Sequence, residues 1–123
     1  MTLEEFNKVY KYKSDLDKYG FPEVWEIPEL EEDGFIYGDC ESYCRFLKNK
    51  VAGFKDWDYY YCKVSGEGHC VLYKNGDVID CVHKRVITLE QYMANGKITD
   101  FRKYGLFTVI SKIVVGKVLT WIK

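Results

Sequence analysis

The chain has 123 residues, of which 47% are hydrophobic and 17% aromatic, and its formal net charge is −1. This length and apolar content predict a single folded domain over residues 1–123 and exclude a disordered chain. Because the net charge is close to zero, we expect no general attraction to nucleic acid or to an anionic membrane surface.

The start of the chain, with Leu3-Glu4-Glu5, has neither the positively charged start nor the apolar run of a secretory signal peptide. The five cysteines are an odd number, which together with this start favours a reducing cytosol and free thiols. We therefore expect a cytoplasmic protein, in which Cys70 and Cys81 are core neighbours and not a disulfide.

The first predicted element is a helix. Thr2-Leu3-Glu4-Glu5 has the pattern of a capping box. The apolar residues Leu3, Phe6, Tyr10 and Leu16 follow on one side, and Gly20 and Pro22 are the predicted stop signals.

A second helix is predicted to begin at Cys40. Asp39 is a good N-cap, and Cys40, Tyr43, Cys44 and Leu47 recur at helical spacing. In the first turn, the unpaired backbone N–H groups and the helix dipole favour a thiolate, the nucleophilic form of cysteine. The backbone N–H of Cys40 is a natural oxyanion donor.

Further along the chain, a β-hairpin is predicted from His69–Tyr73 and Val78–Val82. The connection Asn75-Gly76 suits a two-residue turn in which both residues have positive φ. This turn pairs Lys74 with Asp77, Val71 with Asp80 and His69 with Val82. His69 and Asp80 are then diagonal neighbours on one face, about 7–8 Å apart. Cys70, Leu72, Ile79 and Cys81 then lie on the other face.

Cys40, His69 and Asp80 together have the chemistry of a thiol acyl-transfer triad. His69 would act as base and then acid, while Asp80 would fix the imidazole tautomer and support its charge. The same register places Asp77 and His83 outside the triad. Tyr37 is the candidate for a second oxyanion donor, on its position alone.

The motifs Gly38-Asp39-Cys40-Glu41-Ser42-Tyr43, Gly66-Glu67-Gly68-His69-Cys70-Val71-Leu72 and Val78-Ile79-Asp80 resemble the bacterial transglutaminase-like cysteine proteinases, which include short phage-encoded relatives. The resemblance covers residues 34 to 87. It implies an α+β, transglutaminase-like (papain-like) fold, in which the catalytic helix packs on a small antiparallel sheet with additional N- and C-terminal elements. It also implies a triad at Cys40, His69 and Asp80, and a phage or host cytosol as the setting.

The resemblance further implies a calcium site. Some relatives bind calcium through acids that flank the nucleophile, which here are Asp39 and Glu41, although Ser42 replaces a third acid of the family pattern. The chemistry of the triad itself requires no cofactor. Like-charge repulsion from the two carboxylates would raise the pKa of Cys40, and a divalent cation would cancel it. An equally weighted alternative to a calcium site is that Asp39 only caps the helix and Glu41 only complements the helix dipole.

The predicted function is a cysteine peptidase or amidase that acts on a protein or peptide substrate through a thioester acyl-enzyme. Two alternatives remain open: transfer of the acyl group to an amine, and a catalytically inactive transglutaminase-like binding module. A zinc site ranks below the triad because compact Cys-x-x-Cys pairs are absent from the sequence.

The remaining sequence predicts supporting elements. Trp57–Val64 is strand-like, Thr88-Leu89-Glu90-Gln91 is a second capping box, and Asn95-Gly96 would stop the helix that it opens. The C-terminal segment carries a helical stripe of Phe107, Ile110, Val114, Val118 and Trp121. We expect this stripe to cover the core, and not to form a transmembrane helix; a second interpretation is docking to a partner or a membrane surface.

Charge is distributed unevenly along the chain. Residues 21–41 contain eight acids and no Lys or Arg, whereas residues 84–123 contain eight basic residues and two acids. Two solvated faces are the simpler interpretation. A second one is an acidic surface beside Cys40 that selects cationic substrates or a metal.

Overall fold

The computed structural model describes residues 1–14, 17, 25–94 and 96–122, without the side chains of Leu106 and of residues 120–122. The described elements, in chain order, are α1 (Leu3–Val9), β1 (Tyr10–Tyr12), β2 (Ile36–Gly38), α2 (Cys40–Lys50), β3 (Asp58–Val64), β4 (Glu67–Lys74), β5 (Asp77–Ile79), β6 (Ile87–Thr88), α3 (Leu89–Met93), β7 (Ile98–Lys103) and α4 (Leu106–Ile122). The predicted α+β class is confirmed, and the transglutaminase-like fold stays a prediction.

An antiparallel sheet forms the centre of the fold. Its five strands have the order β6-β5-β4-β3-β7, and every neighbouring pair is antiparallel. β1 and β2 form a separate parallel pair. β1 directly follows α1, and β2 directly precedes α2.

One face of the sheet is covered by α2, and α1 packs on α2. Cys70, Leu72 and Ile79 from the sheet pack with Cys44 and Leu47 of α2 in the larger of two apolar clusters. Phe6 of α1 stacks on Phe46 at 4.4 Å and on Tyr43 at 5.0 Å between ring centroids. The predicted helix at Cys40 and the two faces of the hairpin strands are therefore confirmed.

The opposite face of the sheet is covered by α3. Tyr92 of this helix packs with Cys62, Val71, Val78 and Ile98 in the second cluster. Both predicted capping boxes are present, at Thr2 and at Thr88. Thus a helix of only five residues, positioned by its cap, closes the face that carries His69 and Asp80.

The predicted N-terminal helix is too long. It ends at Val9, because Tyr10–Tyr12 instead pairs in parallel with Ile36–Gly38 and the Tyr10 hydroxyl donates to the Gly38 carbonyl at 2.8 Å. The aromatic residues suit a strand as well as a helix, so the long-range pairing with Ile36–Gly38 determines that Tyr10–Tyr12 is a strand. Leu16, Gly20 and Pro22 lie outside the described residues, as does Asn95 in the predicted stop after α3.

The predicted core stripe of the C-terminal helix is wrong for its described members. Phe107, Ile110, Val114 and Val118 are exposed, and Val109 and Ile113 pack against the larger cluster instead. Apolar residues also occur outside the predicted stripe, at Val109, Ile113 and Val115, so periodicity alone could not select the buried face. Among the described residues, no helix has both the length and the hydropathy needed to cross a membrane.

Candidate active site

Gly38 and Asp39 place Cys40 at the start of α2. The Asp39 side chain accepts a hydrogen bond from the Ser42 backbone N–H at 3.2 Å, which is the N-cap bond predicted from the sequence. A Cβ atom at Gly38 would lie 2.4 Å from the Ser42 Cβ, so only glycine permits this close approach. Cys40 is the first residue of the helix, and its N–H has no intrahelical partner.

The register of the β4–β5 hairpin agrees with the prediction. Lys74 pairs with Asp77, Tyr73 with Val78 and Leu72 with Ile79. The turn residues Asn75 and Gly76 have φ of 49° and 90°. The β5 strand nevertheless ends at Ile79, so the expected pairs of Val71 with Asp80 and His69 with Val82 are not part of this ladder.

His69 and Asp80 form the hydrogen bond that the register predicts. His69 Nε2 lies 2.9 Å from Asp80 Oδ2, and both side chains are largely or fully buried. An ionised carboxylate can only accept, so Nε2 carries the hydrogen in this pair. Nδ1 of a neutral His69 is then the acceptor, and among the described residues it has no hydrogen-bond partner.

Asp80 also binds two side chains that the sequence did not assign to it. The Tyr92 hydroxyl donates to Oδ2 at 2.8 Å. The exclusion of His83 is wrong, because its Nδ1 lies 3.0 Å from Oδ1 and its backbone N–H donates to the same oxygen at 2.7 Å. The cause is that the chain turns after Ile79, with the Lys84 N–H bonded to the Asp80 carbonyl, so strand alternation no longer applies.

The environment of Asp80 keeps it ionised. Burial opposes the charged form, but the hydrogen bonds from His69, from the His83 backbone and from Tyr92 outweigh burial and hold the pKa of Asp80 well below its ordinary value. Asp80 is therefore a buried anion beside His69, as a triad carboxylate must be.

Cys40 and His69 line the same cavity, which has a volume of about 440 Å³. The backbone N–H of Cys70, the residue after His69, lies close enough to the thiol to lower the pKa of Cys40 slightly. The Cys40 Sγ donates to Glu41 Oε2 at 3.3 Å, and no hydrogen bond joins it to His69 in the part of the chain that the structure describes. Proton transfer to His69 would thus require the thiol to turn from Glu41.

The surroundings of Cys40 favour the protonated thiol. Burial and the carboxyl of Glu41 raise its pKa well above the ordinary value, with a further contribution from Asp39. Burial and the neighbouring Asp39 also raise the pKa of Glu41 to about 8. The two flanking acids therefore repel each other and oppose thiolate formation, as the sequence predicts.

The carboxyl pair of Asp39 and Glu41 has the charge that a divalent cation would neutralise. Two carboxyl groups supply at most four of the six to eight oxygen ligands that calcium takes. The described residues contain no group of three or more His, Cys, Asp or Glu side chains that could hold a metal ion. Calcium at Asp39 and Glu41 stays a prediction, and the remaining ligands would have to be backbone carbonyls or water.

The contacts of Tyr37 do not support its role as an oxyanion donor. Its hydroxyl donates to Asp33 Oδ2 at 2.6 Å, and it is not among the described residues that line the cavity of Cys40. The donor supported by position is the backbone N–H of Cys40.

The thiols of the other four cysteines are not exposed to solvent. Cys44, Cys62, Cys70 and Cys81 are buried and free, and burial raises the pKa of each thiol, to about 11 for Cys62 and about 12 for Cys81. The expectation that Cys70 and Cys81 are unbonded core neighbours is confirmed.

Comparison with known proteins adds no family assignment. No protein-family model matches the chain, and no curated protein matches it.

Proposed function

We propose that the chain is a thiol hydrolase of the cysteine peptidase or amidase class, with Cys40 as nucleophile, His69 as general base and acid, and Asp80 as the group that orients His69. The observation that carries the proposal is the 2.9 Å bond between His69 Nε2 and Asp80 Oδ2 beside the cavity of Cys40. This bond leaves Nδ1 as the free acceptor of a neutral imidazole. The resemblance to transglutaminase-like cysteine proteinases, with their fold, agrees with it.

The proposed reaction begins with rotation of the Cys40 thiol toward His69. Nδ1 takes the thiol proton, and the sulfur attacks the carbonyl carbon of a substrate amide. The backbone N–H of Cys40 stabilises the oxyanion. His69 then gives the proton to the leaving amine as the C–N bond breaks, and a thioester remains. Water, deprotonated by His69, hydrolyses the thioester and restores the thiol.

An amine in place of water would give acyl transfer by the same intermediate, so the triad alone does not separate the two reactions. A catalytically inactive binding module is the second candidate. The observation that favours it is the resting thiol, which donates to Glu41 and has a raised pKa.

The test is incubation of the intact chain with a peptide library, with and without an added primary amine, followed by mass spectrometry. Hydrolysed peptides that are absent with Cys40→Ala support the hydrolase, and amine-extended products would assign acyl transfer. No product in either case, although Cys40→Ala and the native chain melt alike, would favour the binding module. Peptides cleaved equally by Cys40→Ala would contradict the assignment.

A further inference from the structure

A second cavity borders His69. It has a volume of about 570 Å³ and shares the residues Gly68 and His69 with the cavity of Cys40, so the two cavities adjoin at this end of β4. A group bound in the second cavity would therefore lie next to the cavity in which the proposed reaction takes place.

The lining of the second cavity is basic. It includes the residues Arg102, Lys103 and Lys112, together with the hydroxyl-bearing Thr108. Glu41 is the acid of its described lining, and its Oε2 accepts the Cys40 thiol hydrogen. A preference for cationic substrates, the alternative drawn from the acidic residues 21–41, would instead require acids around this space.

Arg102 is the guanidinium-bearing residue of this lining. It pairs with Tyr61 across β3 and β7, and its guanidinium carbon lies 4.7 Å from the centre of the Tyr61 ring. The same ring lies against Gly68, where a Cβ would approach it to 3.3 Å. Tyr61 therefore holds the guanidinium beside the residue that precedes His69.

The charge of Arg102 is available to a ligand. Among the described residues no carboxylate forms an ion pair with it, whereas Lys103 pairs with Asp58 at 3.6 Å. A guanidinium presents paired N–H donors in the geometry of a carboxylate.

We propose that this cavity is a substrate subsite for a carboxylate group, bound by Arg102 with Lys112 as a supporting charge. The proposal rests on the proposed function for the identity of the ligand as a peptide. The carboxylate belongs either to an acidic side chain or to a peptide C-terminus, and the two share this chemistry.

The test of binding does not depend on Cys40 reactivity. Two capped tripeptides, one with only a glutamate side-chain carboxylate and one with only a C-terminal carboxylate, are titrated against the uniformly labelled chain by NMR, with a neutral glutamine tripeptide amide as control. Saturable shifts of the Arg102 guanidinium and the Gly68 amide by either acidic peptide, and not by the neutral one, are expected. The peptide that shifts them identifies the source of the carboxylate.

Variants separate charge from structure. Arg102→Gln should abolish the shift of Gly68, Arg102→Lys should retain part of it, and Lys74→Gln, the same charge change at the far end of β4, should leave it unchanged. Absence of saturable shifts in the native chain, or equal shifts in Arg102→Gln, would overturn the proposal. Binding with an unreactive Cys40 would support the subsite and contradict the enzyme.

A kinetic measurement links the subsite to the thiol. The rate of Cys40 alkylation by iodoacetate, divided by that by iodoacetamide, should be higher in the native chain than in Arg102→Gln, because Asp39 and Glu41 flank the thiol equally in both. A single nearby charge is expected to change this ratio about twofold to fivefold at low ionic strength, so Arg102→Gln should lower it by that factor. Equal ratios in the native chain and in a folded Arg102→Gln would count against the proposal.

Discussion

His69 donates through Nε2 to the Oδ2 atom of Asp80 at 2.9 Å, and the Tyr92 hydroxyl donates to the same oxygen at 2.8 Å. The other carboxylate oxygen, Oδ1, accepts the backbone N–H groups of Val82 and His83. Asp80 is thus a fully bonded buried anion, and its position is fixed by four separate residues. Such a carboxylate can hold an imidazole in one orientation, which is the role we assign to it.

The first prediction concerns acid. Because the folded state holds the pKa of Asp80 below its ordinary value, the unfolded chain binds more protons near that value, and stability must fall as the pH falls. The contribution of Asp80 is present above about pH 5 and is lost below it. Thermal melting of the native chain should therefore drop more steeply between pH 5 and pH 3 than that of Asp80→Asn. Parallel profiles would contradict the assignment of Asp80 as a buried anion.

The second prediction concerns Tyr92. Tyr92→Phe removes a buried hydrogen bond to Asp80 and should cost about 1–3 kcal/mol of stability. It should also slow the reaction of Cys40, because Asp80 is held less firmly. The control is Tyr73→Phe, since the Tyr73 hydroxyl has no hydrogen bond among the described residues while its ring packs on Tyr60 at 4.6 Å. Equal effects of the two variants on the reaction rate of Cys40 would contradict the proposed role of Tyr92.

Much of this site could be predicted from local sequence. The Asn75-Gly76 turn sets the hairpin register, and Asp39 caps the helix of Cys40, so the positions of His69, Asp80 and Cys40 follow from signals within a few residues of each. Tyr92 and His83 could not be found in this way. His83 contacts Asp80 because the chain turns after the end of β5. Tyr92 contacts Asp80 from α3, which begins later in the chain, at Leu89.

Three fold elements also lay beyond local signals. The parallel pairing of β1 with β2 joins residues 10–12 to residues 36–38 and overrides the helical pattern there. The β7 strand, Ile98–Lys103, carries charged residues and depends on its pairing with β3. The α4 helix has apolar residues on more than one face, so only its contacts identify the packed face.

The third prediction concerns Asp39 and Glu41. Glu41→Gln removes the acceptor of the Cys40 thiol and a like charge beside it, so the pKa of Cys40 should fall and its alkylation at neutral pH should become faster. If calcium binds the pair, it should raise both the alkylation rate and the melting temperature of the native chain. Calcium should have little effect on Glu41→Gln.

A chelator supplies the control for this prediction. If it leaves the reactivity and melting of the native chain unchanged, Asp39 and Glu41 act only at the end of the helix, and no calcium site is needed.

The fourth prediction concerns the packed face of α4. A Cβ atom at Gly116 would lie 2.8 Å from the backbone nitrogen of Trp25. Gly116→Ala should therefore destabilise the protein by about 1–3 kcal/mol through overpacking, although alanine is the better helix former by about 1 kcal/mol. The exposed Val118→Ala is the control and should change the melting temperature little. A stabilised Gly116→Ala would show that α4 does not pack on Trp25.

The central claim is that His69, oriented by Asp80, activates Cys40. Preferential labelling of Cys40 is not sufficient evidence, since the other four thiols are buried. The decisive measurement is the rate of iodoacetamide alkylation at Cys40, followed by peptide mapping, in the native chain, His69→Gln, Asp80→Asn and the control Asp77→Asn. General base catalysis contributes about 10²–10⁴-fold, so we expect His69→Gln and Asp80→Asn to slow Cys40 by at least tenfold while Asp77→Asn has no effect. An alkylation rate of Cys40 that is the same in the native chain and in a folded His69→Gln would contradict the account.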